Sequence, residues 1–164
     1  MKRRSAFLGA TLMLVGCATP RTTTDADNCY DALVRAKAIA QIPTPLPQLD
    51  DPNRIIFAWP WFVDLEISRV LEGTVDGKVV KALAVLHSSW VSDEMTFALR
   101  RTTVGNFNIL RGDPKNLRRC DRSVPAEVPY IDPAKGQTLD DLRRESEIEY
   151  QRYIDGFSDE DENE

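Results

Sequence analysis

Apolar and polar residues alternate in short runs through the middle of the chain. Val63, Leu65 and Ile67 interleave with Asp64, Glu66 and Ser68, which predicts a strand with one buried and one wet face. Gly73 and Asp76-Gly77 then turn the chain, and Asp-Gly between apolar runs predicts a hairpin. The return run, Val79 to His87, is apolar on both faces and belongs at the centre of a sheet with its second face covered. Met95, Phe97 and Leu99 predict a third strand. Val104, Phe107 and Ile109 predict a fourth, out of step at Gly105, where a bulge is expected.

On either side of this block the period lengthens. Leu33, Ala36 and Ala40 form a stripe with Cys29 behind a cap at Asp27 or Asn28, and Pro43 ends it, which predicts an N-terminal helix. Thr138-x-x-Asp141 fits a capping box, and Leu139, Leu142, Ser146, Tyr150, Tyr153 and Phe157 share one face of a C-terminal helix that should dock on the sheet, with Asp140 pairing to Arg144. Pro43, Pro45, Pro47 and Pro52 keep residues 43–53 extended, and residues 112–136 read as loop. From Ser158 the charge is too dense to pack, so 158–164 should form a disordered acidic tail. The pattern predicts an α+β fold: a small curled antiparallel sheet or an OB-like, partly open β-barrel, with an N-terminal and a C-terminal helix.

A chain of 164 residues, 42% hydrophobic, suits a single globular domain. Its apolar block, Ala6 to Gly16, is shorter than the roughly 18 residues of a spanning helix and follows Lys2, Arg3 and Arg4, as in an export signal. The site Leu14-Val15-Gly16-Cys17 resembles the lipobox of bacterial lipoproteins. The resemblance implies a signal peptide at 1–16, acyl chains on Cys17, a tether over 17–26, one domain over 27–157, and contact with a membrane through the N-terminal lipid. Ala18 stands where an Asp would resemble the inner-membrane retention signal, so the expected address is the outer membrane, facing the periplasm. With Cys17 acylated, Cys29 and Cys120 remain in an oxidising compartment and are expected to form a disulfide.

The stretch Val63 to Val85, a strand ending Val-Leu-Glu-Gly followed by a return strand, resembles the opening hairpin of netrin-like modules of the OB-fold type, found in metalloproteinase inhibitors. Those inhibitors meet the protease zinc through a free N-terminal cysteine. An acylated Cys17 does not carry that chemistry over.

The formal net charge is −5, yet seven cations stand against two acids between residues 100 and 122. Arg100, Arg101, Arg111, Lys115, Arg118, Arg119 and Arg122 either bind an anionic lipid, a glycan or an acidic envelope protein, or lie against the protein's own acidic C-terminus. The acidic balance and the expected address argue against nucleic acid. His87 is the only imidazole and has no nucleophile motif around it, and the cysteines and His87 cannot fill a usual zinc site, so no catalytic residue, metal or cofactor is expected. Trp59-Pro60-Trp61-Phe62, with Trp90, is either core filling or a surface that stacks on sugar rings or grips a partner's apolar residue. The sequence thus points to a membrane-anchored binding or structural module for protein, lipid or glycan. The alternative is a hydrolase or enzyme inhibitor acting on envelope polymers. A polar pocket around His87 would favour that alternative, and exposed tryptophans beside the arginines would favour the binding module.

Overall fold

The computed structural model describes residues 29–45, 55–90 and 93–160, with the side chains of 157–160 excepted. The residues read as a signal peptide (1–16), Cys17, those read as a tether (17–26), most of the proline-rich stretch 43–53 and residues 161–164 of the expected tail lie outside the described residues.

Five strands close a barrel: β2 (Ala32–Pro43), β3 (Trp59–Glu72), β4 (Val79–Leu86), β5 (Glu94–Arg101) and β6 (Phe107–Ile109), in the order β2-β3-β4-β6-β5. The remaining contacts are antiparallel, but β4 and β6 run parallel, pairing Ala82 with Phe107 and Leu83 with Asn108. Of the two forms expected from the sequence, the barrel is the one that forms, though it is closed, and the parallel β4–β6 pair makes it mixed where a curled sheet would have been antiparallel throughout. A short strand β1 (Cys29–Tyr30) pairs in parallel with β7 (Arg118–Arg119) beside it.

The expected N-terminal helix is absent, and its residues form β2. Ala32, Val34, Ala36 and Ala38 point into the barrel, while Arg35 and Lys37 face water. Small inward side chains leave room for Trp61, Phe97 and Phe107, which fill the same interior. Packing against these aromatics overrides the helix propensity of alanine.

The β3–β4 hairpin forms as the pattern requires, with Ile67 N–H donating to the Lys78 carbonyl at 2.8 Å. Gly73 sits at φ +76°, and a Cβ there would lie 2.1 Å from the Asp31 carbonyl oxygen, so only glycine lets the end of β3 pass the start of β2. The expected bulge at Gly105 is a turn instead. Gly105 N–H donates to Thr102 carbonyl at 3.2 Å, Val104 is exposed, and β6 begins only at Phe107.

The C-terminal helix α1 (Leu139–Glu160) begins at its capping box, with Thr138 N–H and Oγ1–H donating to Asp141 Oδ2 at 3.1 and 2.6 Å, and Asp141 N–H donating back to Thr138 Oγ1 at 3.1 Å. These bonds hold the Asp141 carboxyl below the usual carboxylate range. Leu142 packs on Ile42, Phe62 and Leu83, which covers the second apolar face of β4. Arg143 forks onto Asp64 at 2.5 and 2.7 Å, and that carboxylate raises the guanidinium pKa. Asp140 pairs with Lys81 at 2.8 Å, and it is Asp141, not Asp140, that meets Arg144, at 2.9 Å. The helical backbone runs through Glu160, past the boundary expected at residue 157.

Candidate functional site

At the end of the barrel where β2 leaves and β3 enters, a groove of about 540 Å³ opens between the strands and α1. Trp59 and Trp61 form one wall, Pro43 and Pro45 border it, Tyr150 and Tyr153 face it from α1, and His87, Ser88 and Ser89 lie at its edge. Trp59 and Trp61 alternate inward with Val63 and Leu65, so the groove is the mouth of the barrel interior. Trp61 is 7% exposed and Trp59 is half-buried, their rings 5.7 Å apart and tilted by 37°. Both indole Nε1–H groups are buried and lack a hydrogen-bond acceptor among the described residues. An unpaired buried donor is costly, so these two N–H groups are a local cost of packing the indoles at the barrel mouth.

Among the described residues, His87 is the one imidazole at the edge of the groove. His87 Nδ1 lies 2.6 Å from the Phe57 carbonyl oxygen, which fixes the Nδ1–H tautomer for a neutral ring and leaves Nε2 as acceptor. The ring is oriented by the main chain and not by a carboxylate. Glu149, also at the groove, is exposed on α1. Among the described residues no group of three or more His, Cys, Asp or Glu side chains is placed to hold a metal.

Trp90 belongs elsewhere. It packs on Phe97 with ring centroids 5.2 Å apart and lines a smaller opening of about 300 Å³ between β4 and β5. Gln41 fixes it, accepting from Trp90 N–H at 2.7 Å and donating to its carbonyl at 3.1 Å.

The arginine block does not act as one patch. Arg100 is 1% exposed; its guanidinium donates to Asp31 Oδ2 at 2.7 Å and to the Pro125 carbonyl, with Glu127 3.7 Å away. Asp31 also accepts from Arg101 N–H at 2.7 Å. Arg100 is thus an internal clamp and not a binding residue. Arg101 lies 4.8 Å over the Phe107 ring, a cation–π contact. Arg111 donates to the Val85 carbonyl at 3.2 Å. Arg118 and Arg119 stand exposed on β7, where the Cys29–Cys120 disulfide and the bond from Cys120 N–H to Tyr30 carbonyl, 2.8 Å long, hold the strand beside β1.

The structure therefore bears out the Cys29–Cys120 pair and keeps the arginines out of the groove of Trp59 and Trp61, while Arg111 shares the smaller opening with Trp90. None of the arginines lines the groove. Sequence reasoning found Trp59 and Trp61 but took Tyr150 and Tyr153 for core positions of the helix. The signal was present, because two tyrosines late in the stripe, between Ser146 and Phe157, keep a polar end near water. No family model, no curated protein and no solved structure matches this chain.

Proposed function

We propose that the chain is a cell-envelope lipoprotein, anchored in the outer membrane through acyl chains on Cys17 and facing the periplasm, whose domain is a binding module. The observation that carries the binding reading is the aromatic groove at the barrel mouth. Aromatic walls with few polar groups at the rim are the usual make-up of a ligand site. Five strands in a closed barrel, with a mouth free to bind, support the finer reading of an OB-like fold.

The aromatic lining of Trp59, Trp61 and Tyr150 suits a ligand with a flat apolar surface, such as a pyranose ring of an envelope glycan or a peptide segment. Hydrolysis of such a polymer is less well supported, since His87 is oriented by a carbonyl and not by a carboxylate.

Two measurements test the two halves of the reading. Metabolic labelling with a palmitate analogue should mark the wild type and not Cys17→Ser; equal labelling would remove the anchor. Titration with envelope glycan fragments and peptides, followed by tryptophan fluorescence, should saturate in the wild type and weaken in Tyr153→Ala. Titrations unchanged by that substitution would remove the groove.

A further inference from the structure

We propose that the opening between β4 and β5 is a binding site for a single-chain alkyl carboxylate, whose chain lies in the apolar slot and whose carboxylate is held by Arg111. The site lies apart from the aromatic groove and does not depend on what the groove binds.

The slot follows from the shortness of β6. Only Phe107–Ile109 stand between β4 and β5, pairing with Ala82 and Leu83 on one side and with Leu99, Arg100 and Arg101 on the other. After Ile109 one more bond, from Leu110 N–H to the Ala98 carbonyl at 2.9 Å, ties the chain to β5 before it leaves for the turn at Pro114. Residues 84–86 of β4 and 95–97 of β5 therefore have no paired strand between them, and the wall opens there into about 300 Å³.

The lining is almost wholly apolar. Ala84, Leu86, Phe97 and Ile109 belong to the barrel core, and Trp90 packs against that core on the Phe97 ring. All five line the opening, and Met95, which lines it too, is exposed to solvent. A volume of about 300 Å³ is the lower end of the range for small-molecule sites, roughly 300–1,000 Å³. It suits one alkyl chain and not a two-chain lipid.

The charge of the slot is one-sided. Among the described residues, Arg111 is the one charged side chain that lines it, and no Asp or Glu does. Arg111 takes part in none of the ion pairs between described residues. Asp113, two residues on, accepts from Lys115 N–H at 3.0 Å in its own turn. The guanidinium has one partner, the Val85 carbonyl, reached by Nε–H at 3.4 Å and by Nη2–H at 3.2 Å. Val85 thus takes up the edge that carries Nε. The edge between Nη1 and Nη2 keeps its remaining N–H groups, the fork that a carboxylate fills with two parallel bonds. The Val85 bond holds the guanidinium at the wall of the slot and leaves that fork to an anionic head. A neutral head gains little from it, and a cationic one is repelled.

The test uses residues 17–164 with Cys17→Ser, which include every described residue and carry no lipid, and reads decanoate binding by isothermal titration calorimetry. Decanoate is expected to bind at one site per chain, and octanoate roughly tenfold more weakly, since each methylene withdrawn from the slot is worth about fourfold. 1-Decanol and decylammonium, which have the same chain and no carboxylate, should bind at least about tenfold more weakly than decanoate. Arg111→Gln should weaken decanoate at least about tenfold and leave 1-decanol as it is, a split that a merely structural role of Arg111 would not produce. Met95→Trp, which adds bulk at the slot without touching Arg111, should weaken both, so a folding defect in Arg111→Gln leaves the proposal testable. No decanoate binding, equal binding of the three heads, or decanoate binding that neither variant weakens would overturn it. Decanoate binding lost in Tyr153→Ala and kept in Arg111→Gln would place the chain in the aromatic groove, overturning the slot and leaving the groove reading in place.

Discussion

Arg100 leaves the barrel on the outer side of β5 and is 1% exposed beneath β1 and the 125–127 segment, whereas Arg118 and Arg119, from the same cation-rich stretch, stand on β7 in water. The first is surrounded by a carboxylate, a carbonyl and a second carboxylate. The other two keep their place through main-chain pairing with Cys29 and Tyr30. The difference lies in what covers each strand, and a run of like charge along the sequence does not reveal it. A buried arginine is expensive to strip of its partners, while an exposed one costs little to change.

The sharpest break in that comparison is Asp31→Ala. It leaves the Arg100 charge inside the fold with its 2.7 Å partner gone, and the expected loss is about 3–5 kcal/mol, read by chemical denaturation. Arg100→Met removes the charge together with the pairing and keeps apolar bulk, so it should cost clearly less. If the two variants rank the other way, the Pro125 carbonyl and Glu127 hold the guanidinium and Asp31 is secondary.

The disulfide sets how firmly the exposed strand is tied down. Cys29→Ala/Cys120→Ala opens a loop of 91 residues, with an expected loss of about 2–4 kcal/mol in thermal or denaturant unfolding. Because β1 also shields Arg100, the disulfide and the Asp31–Arg100 pair should be coupled: combining both changes should cost less than the sum of each alone. Strict additivity would mean that β1 stays in place without the disulfide.

Arg143 and Asp64 give a third point on the scale, a forked ion pair that is neither sealed nor exposed, with side chains 15% and 18% accessible. Arg143→Met should cost about 1.5–3 kcal/mol, the range for hydrogen bonds to charged groups. The loss should appear as fraying of α1 against the barrel, seen by hydrogen exchange at Leu142 and Ser146.

The same contrast explains which parts of the molecule were legible in its sequence. The β3–β4 hairpin and the capping box at Thr138 are local: Asp76-Gly77 and Thr138-x-x-Asp141 carry their geometry within a few residues. β2 is not local. Its inward residues are mostly alanines, which satisfy a helical stripe as well as a two-residue alternation, and only Trp61, Phe97 and Phe107 across the barrel require them to be small. Arg100 fails for a related reason, because the residues that cover it, Asp31 and the 125–127 segment, lie far off in sequence. The groove was half legible. Trp59 and Trp61 announce it, but Tyr150 and Tyr153 reach it only because α1 docks through Leu142 and Arg143.

The smallest effect is expected where the sequence shows the densest charge. Arg118→Glu/Arg119→Glu changes two side chains of a two-residue strand whose register is set by main-chain pairing and by the adjacent disulfide. Neither the disulfide nor the bond from Cys120 N–H to the Tyr30 carbonyl involves an arginine side chain. Tyr30 Oη–H donates to Glu72 at 2.9 Å, and a glutamate placed at 119 would add a second negative charge near that pair, a repulsion that solvent largely screens. The net change in unfolding free energy should stay within about 0.5 kcal/mol, as for most surface substitutions. Measured beside Asp31→Ala, this gives two variants of one cation-rich stretch that differ severalfold or more in their cost to stability. A loss above about 2 kcal/mol in the double reversal would show that the β1–β7 ribbon is a clamp of the same kind as Arg100, and the contrast between the two regions would collapse.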